Sequence, residues 1–311
     1  MSRILITGAA GYIGRQLGER LAVHHDVLGL DVQVPEGLAF ACLQRDIRDP
    51  DLATLMRERS IERVVHLAAV LEDSGDRERD YDIDVNGTRN VLRACVAAGV
   101  EQLVVTSSGA AYGYHADNPA WIDEHDALRG NPEFAYSDHK RRVEELLADY
   151  RQRHPRLRQL ILRPGTVLGE STRNQITALF ERRRILAIAG APSPFVFIWD
   201  QDVVAIIAAG VERHAEGIYN LAGDGALSVA ELAALLDKPL LTVPAWLLRG
   251  ALAVGHRLGL SRHSPEQINF LRYRPVLSNR RLKAEFGYTP AKTSEQVFRL
   301  FVEHARAGGR L

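Results

Sequence analysis

At Thr7-Gly8-Ala9-Ala10-Gly11-Tyr12-Ile13-Gly14, glycines fall at positions 8, 11 and 14. An apolar run, Arg3-Ile4-Leu5-Ile6-Thr7, precedes them, and a helical pattern over 12–24 follows. Gly8 permits a tight turn, Gly11 lets backbone approach a pyrophosphate, and Gly14 lets helix and strand pack closely. The helix start then offers its N–H groups to phosphate. Glycines at this spacing carry little weight alone; a strand before and a helix after give them meaning. The stretch therefore predicts a dinucleotide held at Gly8, Gly11, Tyr12, Ile13 and Gly14.

Working outward, the next apolar run is Val27-Leu28-Gly29-Leu30-Asp31, and Asp31 ends it 17 residues beyond Gly14. A carboxylate there accepts hydrogen bonds from ribose hydroxyls and repels a 2′-phosphate. Neither Arg nor Lys follows in Val32-Gln33-Val34. Asp31 therefore favours NAD over NADP.

Further strands are predicted at Val64–Ala68, Leu103–Thr106 and Leu160–Arg163, each leucine-rich or β-branched with few polar residues inside. Strands buried on both faces read this way. Helical patterns lie between them, near 51–59, 81–98 and 136–151. Regular alternation predicts an α/β fold with a doubly wound parallel Rossmann sheet.

After Pro164 the pattern loosens. A helix is expected over 174–187, a strand over 195–199 and a helix over 201–213. Gly217–Leu221 reads as a strand, and Ser228 with Glu231 has capping-box spacing. The tail from 240 to 311 reads as helical. The expected division is a Rossmann domain over 1–165, to which 195–222 returns. A smaller, mostly helical C-terminal substrate cap takes 166–194 and 223–311.

Apolar residues make up 46% and charged residues 25%, as in an ordinary globular protein. Lys plus Arg equals Asp plus Glu at 39 each, so no nucleic-acid or membrane partner is expected. Cys42 and Cys95 lack metal-ligand spacing and sit among apolar neighbours. They are expected to be buried free thiols in a reducing compartment. The chain opens directly on a strand, with no leader pattern, so a cytoplasmic protein is expected.

Tyr136-Ser137-Asp138-His139-Lys140 opens a helical pattern. Residues four apart emerge from one helix face. A phenol loses its proton near pH 10, too high for a base at neutral pH. A neighbouring ammonium favours the phenolate and brings that value down. Lys140 can do this and also hold a ribose, so both residues are expected at the cofactor. Ser108 follows the strand ending at Thr106, at a sheet C-terminal end where such folds gather their sites. Ser108, Tyr136 and Lys140 are the expected catalytic set.

Together these pieces resemble the extended short-chain dehydrogenase/reductase superfamily, the NAD-dependent epimerase/dehydratase family. The resemblance includes Asp46-Ile47, His66-Leu67-Ala68-Ala69, Asn86 with Gly87-Thr88, Thr106-Ser107-Ser108, Tyr112-Gly113, Glu124, Leu162-Arg163-Pro164 and Phe195 to Val203. It implies that Asp46 and Ile47 flank the adenine, and that Leu67, Ala68 and Ala69 line the cofactor groove. It places Asn86 and Arg163 near the cofactor, and Ser107, Gly109, Thr166 and Trp199 near the substrate. It also implies a homodimer built from helices around 81–98 and 136–151, with Leu92, Val96, Val143, Leu146 and Leu147 as candidates; those residues could equally pack on the sheet.

Some positions depart from the pattern. Sugar 4,6-dehydratases carry Asp-Glu where this chain has Gly109-Ala110, so dehydration is not expected. Nucleotide-sugar relatives have Asn where Thr166 stands, and an Arg just before Phe195, where this chain has Ala191-Pro192-Ser193-Pro194. A diphosphate needs cationic partners; Arg173, Arg182, Arg183 and Arg280 are the candidates. Val243 to Val254 is apolar at helical spacing and is similar to tail helices that cover apolar substrates in ketone and sterol reductases; core or dimer packing is the other reading. The leading expectation is hydride transfer at a secondary alcohol or ketone, with a small-molecule substrate and NAD(P) as co-substrate. The alternative is a nucleotide-sugar epimerase with tightly bound NAD. A non-catalytic dinucleotide-binding scaffold would be expected to lose Tyr136 or Lys140, and both are present.

Overall fold

A computed structural model describes residues 1–71, 74–257 and 268–311. In chain order, the first part runs β1 (Arg3–Thr7), α1 (Tyr12–Ala22), β2 (Asp26–Asp31), β3 (Ala41–Gln44), α2 (Leu52–Glu58) and β4 (Arg63–His66). α3 (Arg77–Tyr81) passes through a π-helical turn, Asp82–Asn86, into α4 (Gly87–Ala98). β5 (Gln102–Thr106), α5 (Ala135–Arg153), β6 (Arg158–Pro164) and β7 (Thr166–Leu168) follow. Next come α6 (Gln175–Phe180), β8 (Ile185–Ile188), β9 (Phe197–Trp199), α7 (Asp200–Glu212) and β10 (Gly217–Leu221). The remainder is α8 (Val229–Leu236), β11 (Leu240–Val243), α9 (Ala245–Arg257), α10 (Ile268–Arg272), α11 (Arg280–Ala284) and α12 (Ser294–Ala307).

Seven strands form one sheet in the order β10-β6-β5-β4-β1-β2-β3. The pairings among β1 to β6 are parallel. The strand order reverses on either side of β1, the kind of switch point where open α/β sheets place their ligands. The Rossmann expectation therefore holds.

The chain divides into two compact units. The first comprises residues 1–108, 139–163 and 201–219, and the second 109–138, 164–200 and 220–311. The first unit's core includes Leu5, Leu30, Val64, Leu92, Leu103, Val143, Leu147 and Ile161. Full burial of each such side chain stabilises by roughly 1.5–3 kcal/mol. Leu92, Val143 and Leu147 thus pack on the sheet, with Val96 and Leu146 partly buried against the same core. Cys95 is buried, whereas Cys42 is only half-buried.

In the second unit β7 pairs with β9 and β8 with β11, both in parallel. Phe180, Phe195, Phe197, Phe298 and Phe301 share its main apolar cluster. Ser228 and Glu231 make the expected capping box at the start of α8. Two expectations are corrected. The helix expected over 174–187 stops at Phe180, and residues 240–243, expected to be helical, are a strand. Ile185 and Ile188 bury themselves while β8 pairs with β11, far along the chain. Local periodicity cannot register such a remote partner. Among the described residues, no helix is long and apolar enough to cross a membrane.

Candidate active site

The glycine turn is built almost wholly from backbone. Gly8 sits at φ +71°, a region L side chains rarely adopt, and its N–H donates to Leu30 O at 2.9 Å. A Cβ on Gly14 would lie 2.2 Å from Gly8 O. A Cβ on Gly11 would meet only Gly8 O, at 3.1 Å, and Gly11 faces solvent. No side chain caps the start of α1, and its first turn carries no acid. Helix starts of this kind receive anions. Tyr12 is 38% exposed and Ile13 half-buried beside them. Asp31 closes the turn from β2: Oδ2 accepts from Ala10 N at 3.0 Å and Oδ1 from Gln33 N at 3.3 Å. An ionised carboxylate has about four acceptor sites, so capacity remains for ribose hydroxyls. These residues fit the adenosine diphosphate half of NAD.

Leu67 and Ala68 lie along the other side of the turn. Leu67 N donates to Thr7 O at 3.1 Å, and a Cβ on Gly8 would sit 2.7 Å from Ala68 N. Leu67, Ala68 and Ala69 are half-buried. Behind them lies His66, a residue to which the sequence assigned no role of its own. Thr88 Oγ1 donates to Asp84 O at 2.5 Å, so it accepts from His66 Nε2–H at 3.0 Å. Thr7 Oγ1 donates to His66 Nδ1 at 2.7 Å while accepting from Ala68 N at 3.4 Å. The network thus assigns the neutral Nε2–H imidazole. Through Thr7, His66 steadies both walls of the turn.

Burial first, then the Lys140 cation, push the His66 imidazole from 6.5 down to about 3, against the pull of Asp84. The unfolded chain binds a proton that the folded chain refuses. Stability is therefore full above about pH 6.5 and falls by up to about 1.4 kcal/mol per pH unit as pH drops toward 3. Urea unfolding between about pH 6 and pH 5 should show this slope, and His66→Gln should flatten it. An equal slope in the variant would remove His66 as its source.

Asp46 and Ile47 follow β3. Ile47 is a core residue whose Cδ1 would lie 2.5 Å from a Cβ on Gly87. Asp46 accepts from Arg48 N at 2.8 Å and from Arg48 Nε at 2.9 Å, and these bonds hold its carboxyl below the usual range. Arg48 Nη1 also donates to Asp82 at 2.8 Å. Asn86 donates to Asp82 Oδ1 at 2.8 Å and accepts from Arg89.

The π-helical turn has a consequence for α5. Such turns insert a residue and re-aim side chains. Here Asp84, within it, accepts from Val70 N at 2.8 Å and from His139 Nδ1 at 3.0 Å. Both side chains are buried. His139 immediately precedes Lys140, whose ammonium is buried and donates to Thr106 O at 3.2 Å. Lys140 is thereby tied to the end of β5, two residues before Ser108. Tyr136 stands one turn earlier on α5, half-buried, with its ring 6.4 Å from that of Phe134. Ser107 turns inward, donating to Glu144 Oε1 at 2.5 Å. Glu144 also accepts from Arg163 Nε at 2.8 Å and Nη2 at 2.6 Å, so Ser107 and Arg163 share one buried carboxylate.

In the second unit, Gly109 packs against Leu277, whose Cδ1 would lie 2.9 Å from a Cβ there. Thr166 pairs with Phe197 in the β7–β9 ladder. Trp199 packs on the phenylalanine cluster, with Lys292 Nζ 4.6 Å from its ring centre. Arg280 is largely exposed beside Asp123. The residue that sequence reading missed is Arg274. Its guanidinium carbon lies 3.9 Å from the Phe195 ring centre and 5.2 Å from that of Phe270. Nη1 donates to Ser193 Oγ at 2.6 Å, while the buried Nε has no partner among the described residues. Burial pushes this guanidinium down to about 10, with Tyr114 opposing, so it stays charged at neutral pH. Tyr114, Phe134 and Phe270 form an aromatic group beside it. Only an Arg-Pro pair marks the position in sequence; Phe270 is four residues away, but Ser193 and Phe195 come from a distant segment.

Known proteins share this architecture. Over 244 residues, 76% of this chain and 72% of the other, there is 28% identity to N-acetyl-α-D-glucosaminyl-diphospho-ditrans,octacis-undecaprenol 4-epimerase of Escherichia coli O157:H7. The structure of the Thermus thermophilus UDP-glucose 4-epimerase complexed with NAD has a TM-score of 0.74 and 26% identity, covering 98% of this chain and 99% of that one. The UDP-glucose 4-epimerase of Thermotoga maritima with UDP-glucose has a TM-score of 0.75 at 19% identity, covering 98% and 99%, and shares the fold. Residues 4–222, which carry the glycine turn, Asp31, Ser108, Tyr136 and Lys140, match the NAD dependent epimerase/dehydratase family, and the chain belongs to it.

Proposed function

We propose that this chain is an NAD-dependent epimerase acting at a ring hydroxyl of a sugar carried on a diphosphate, and that NAD stays bound through the cycle. The likeness to the E. coli sugar-diphosphate 4-epimerase over 76% of the chain carries this reading. It reverses the order in which the sequence ranked its two enzymatic alternatives. Arg274 supports it. The sequence lacks the relatives' Asn at Thr166 and their Arg just before Phe195, and Arg274 supplies a charged guanidinium with a donor to spare.

In this mechanism Lys140, one helical turn from Tyr136 on α5, holds the nicotinamide ribose. Tyr136 Oη takes the proton from the sugar hydroxyl, and Ser108 donates a hydrogen bond to the same oxygen. NAD, when bound, supplies the hydride acceptor at the adjoining carbon. Tyr136 returns the proton once the sugar has presented its other face. Asp84 and His139 hold the stretch of α5 that ends in Lys140.

The test starts with protein purified without added cofactor. On denaturation it should release near-stoichiometric NAD, identified by mass spectrometry. With UDP-sugars it should then produce epimer mixtures and no accumulating NADH. An empty site that instead makes NADH from added NAD and an alcohol would restore the dehydrogenase reading.

A further inference from the structure

We infer that β8, β11 and α9 form a docking surface for a phospholipid bilayer with anionic headgroups. α9 is apolar on both sides. Its more sheltered residues, Ala245, Leu248 and Leu252, fall at helical spacing on one stripe. The opposite stripe carries Trp246 at 74% exposure, Leu247 at 49% and Val254 at 60%, with exposed Gly250 and Ala251 between them. A helix apolar all round is normally covered, and contiguous exposed apolar surface marks a docking site. Exposed apolar side chains also occur on the strands that precede α9. Leu241 and Leu186 are registered neighbours on one face of the β8–β11 ribbon, at 41% and 37% exposure, while Leu240, at 41%, lies on its other face.

Charge selects the occupant. The whole chain is balanced, yet no Asp or Glu occurs from Lys238 to Arg257, where Arg249 and Arg257 are exposed. Arg182, Arg183 and Arg184, all exposed, lead directly into β8. The adjacent Glu181 pairs with Arg310. Lys238 and Pro239 lead into β11 beside them, since Ile185 N donates to Pro239 O at 3.0 Å. The apolar patch is therefore bordered by cations. A two-fold contact between copies would set this patch against itself, basic rim on basic rim. Anionic headgroups complement it, tryptophan suits the headgroup level, and the short apolar side chains reach the acyl boundary without spanning. The surface lies wholly within the second unit and does not depend on the substrate reading. It departs from the expectation, drawn from the balanced net charge, that no membrane partner is involved.

The test is co-sedimentation of the full chain with vesicles of phosphatidylcholine alone or mixed with phosphatidylglycerol. Pelleting should need the anionic lipid and weaken with added salt. W246E/L247E should cut the bound fraction at least tenfold. Should that variant misfold, R182Q/R183Q/R184Q, confined to exposed side chains, should still weaken binding. Headgroup-proximal brominated lipid should quench tryptophan fluorescence in the parent chain, and W246F should lose most of that quenching. Protein left in the supernatant at low salt, or equal pelleting of both charge and apolar variants, would overturn the proposal. A dimer that dissociates in W246E/L247E without any vesicle binding would overturn it too, and assign the patch to a second copy.

Discussion

Tyr136→Phe should lower turnover by about 10³-fold, within the range general acid–base catalysis contributes, while the protein keeps its NAD. The substitution removes one oxygen and leaves the ring, so the 6.4 Å approach to Phe134 and the helix around it are undisturbed. Lys140 retains its bond to Thr106 O, and Asp84 and His139 retain theirs. What disappears is the oxygen proposed above to move the substrate proton. Bound nucleotide measured by mass spectrometry should match the parent chain, and only the rate should fall. Turnover within about tenfold of the parent would move the acid–base role to another group.

The glycine turn, Asp31 and the start of α5 were legible in the sequence because each depends on residues close together in the chain. Strand, turn and helix follow one another within the first 22 residues. Tyr136 and Lys140 need only one helical turn to share a face. The pairing of β8 with β11 depends on residues more than 50 positions apart, and neither strand alternates cleanly in burial. Ile47 illustrates another limit. The resemblance puts it beside the adenine or in the core, and sequence alone does not show that its side chain packs against Gly87. Arg163 and Ser107 are expected near the cofactor and the substrate from the resemblance alone. Their shared bond to Glu144 was not legible, because sequence alone marks Glu144 only as one of several acids on α5. Arg274 escaped notice because Ser193 and Phe195, remote in the chain, make much of its surroundings, and no local pattern joins them to it.

Gly14→Ala and Gly11→Ala should separate the two tasks of the glycine turn. A methyl at Gly14 would lie 2.2 Å from Gly8 O and 2.8 Å from Ala9 Cα. Both obstacles are backbone, so no rotamer change relieves them. α1 must move off β1, at a cost of roughly 1–3 kcal/mol or more. The same shift pulls the helix start from the phosphates, so NAD affinity should fall by about 10–100-fold, the equivalent of roughly 1.4–2.8 kcal/mol. At Gly11 the backbone has φ −68°, which any residue adopts, and an added methyl meets only Gly8 O at 3.1 Å. Stability there should change by less than about 1 kcal/mol. The methyl would nevertheless stand on the exposed face where the pyrophosphate approaches, so NAD affinity should fall as in the Gly14 variant. Thermal unfolding and NAD titration of both proteins distinguish the roles. Equal loss of stability in the two would mean that Gly11 serves the fold rather than the cofactor. Full NAD affinity in Gly11→Ala would mean that the phosphates do not lie against this turn.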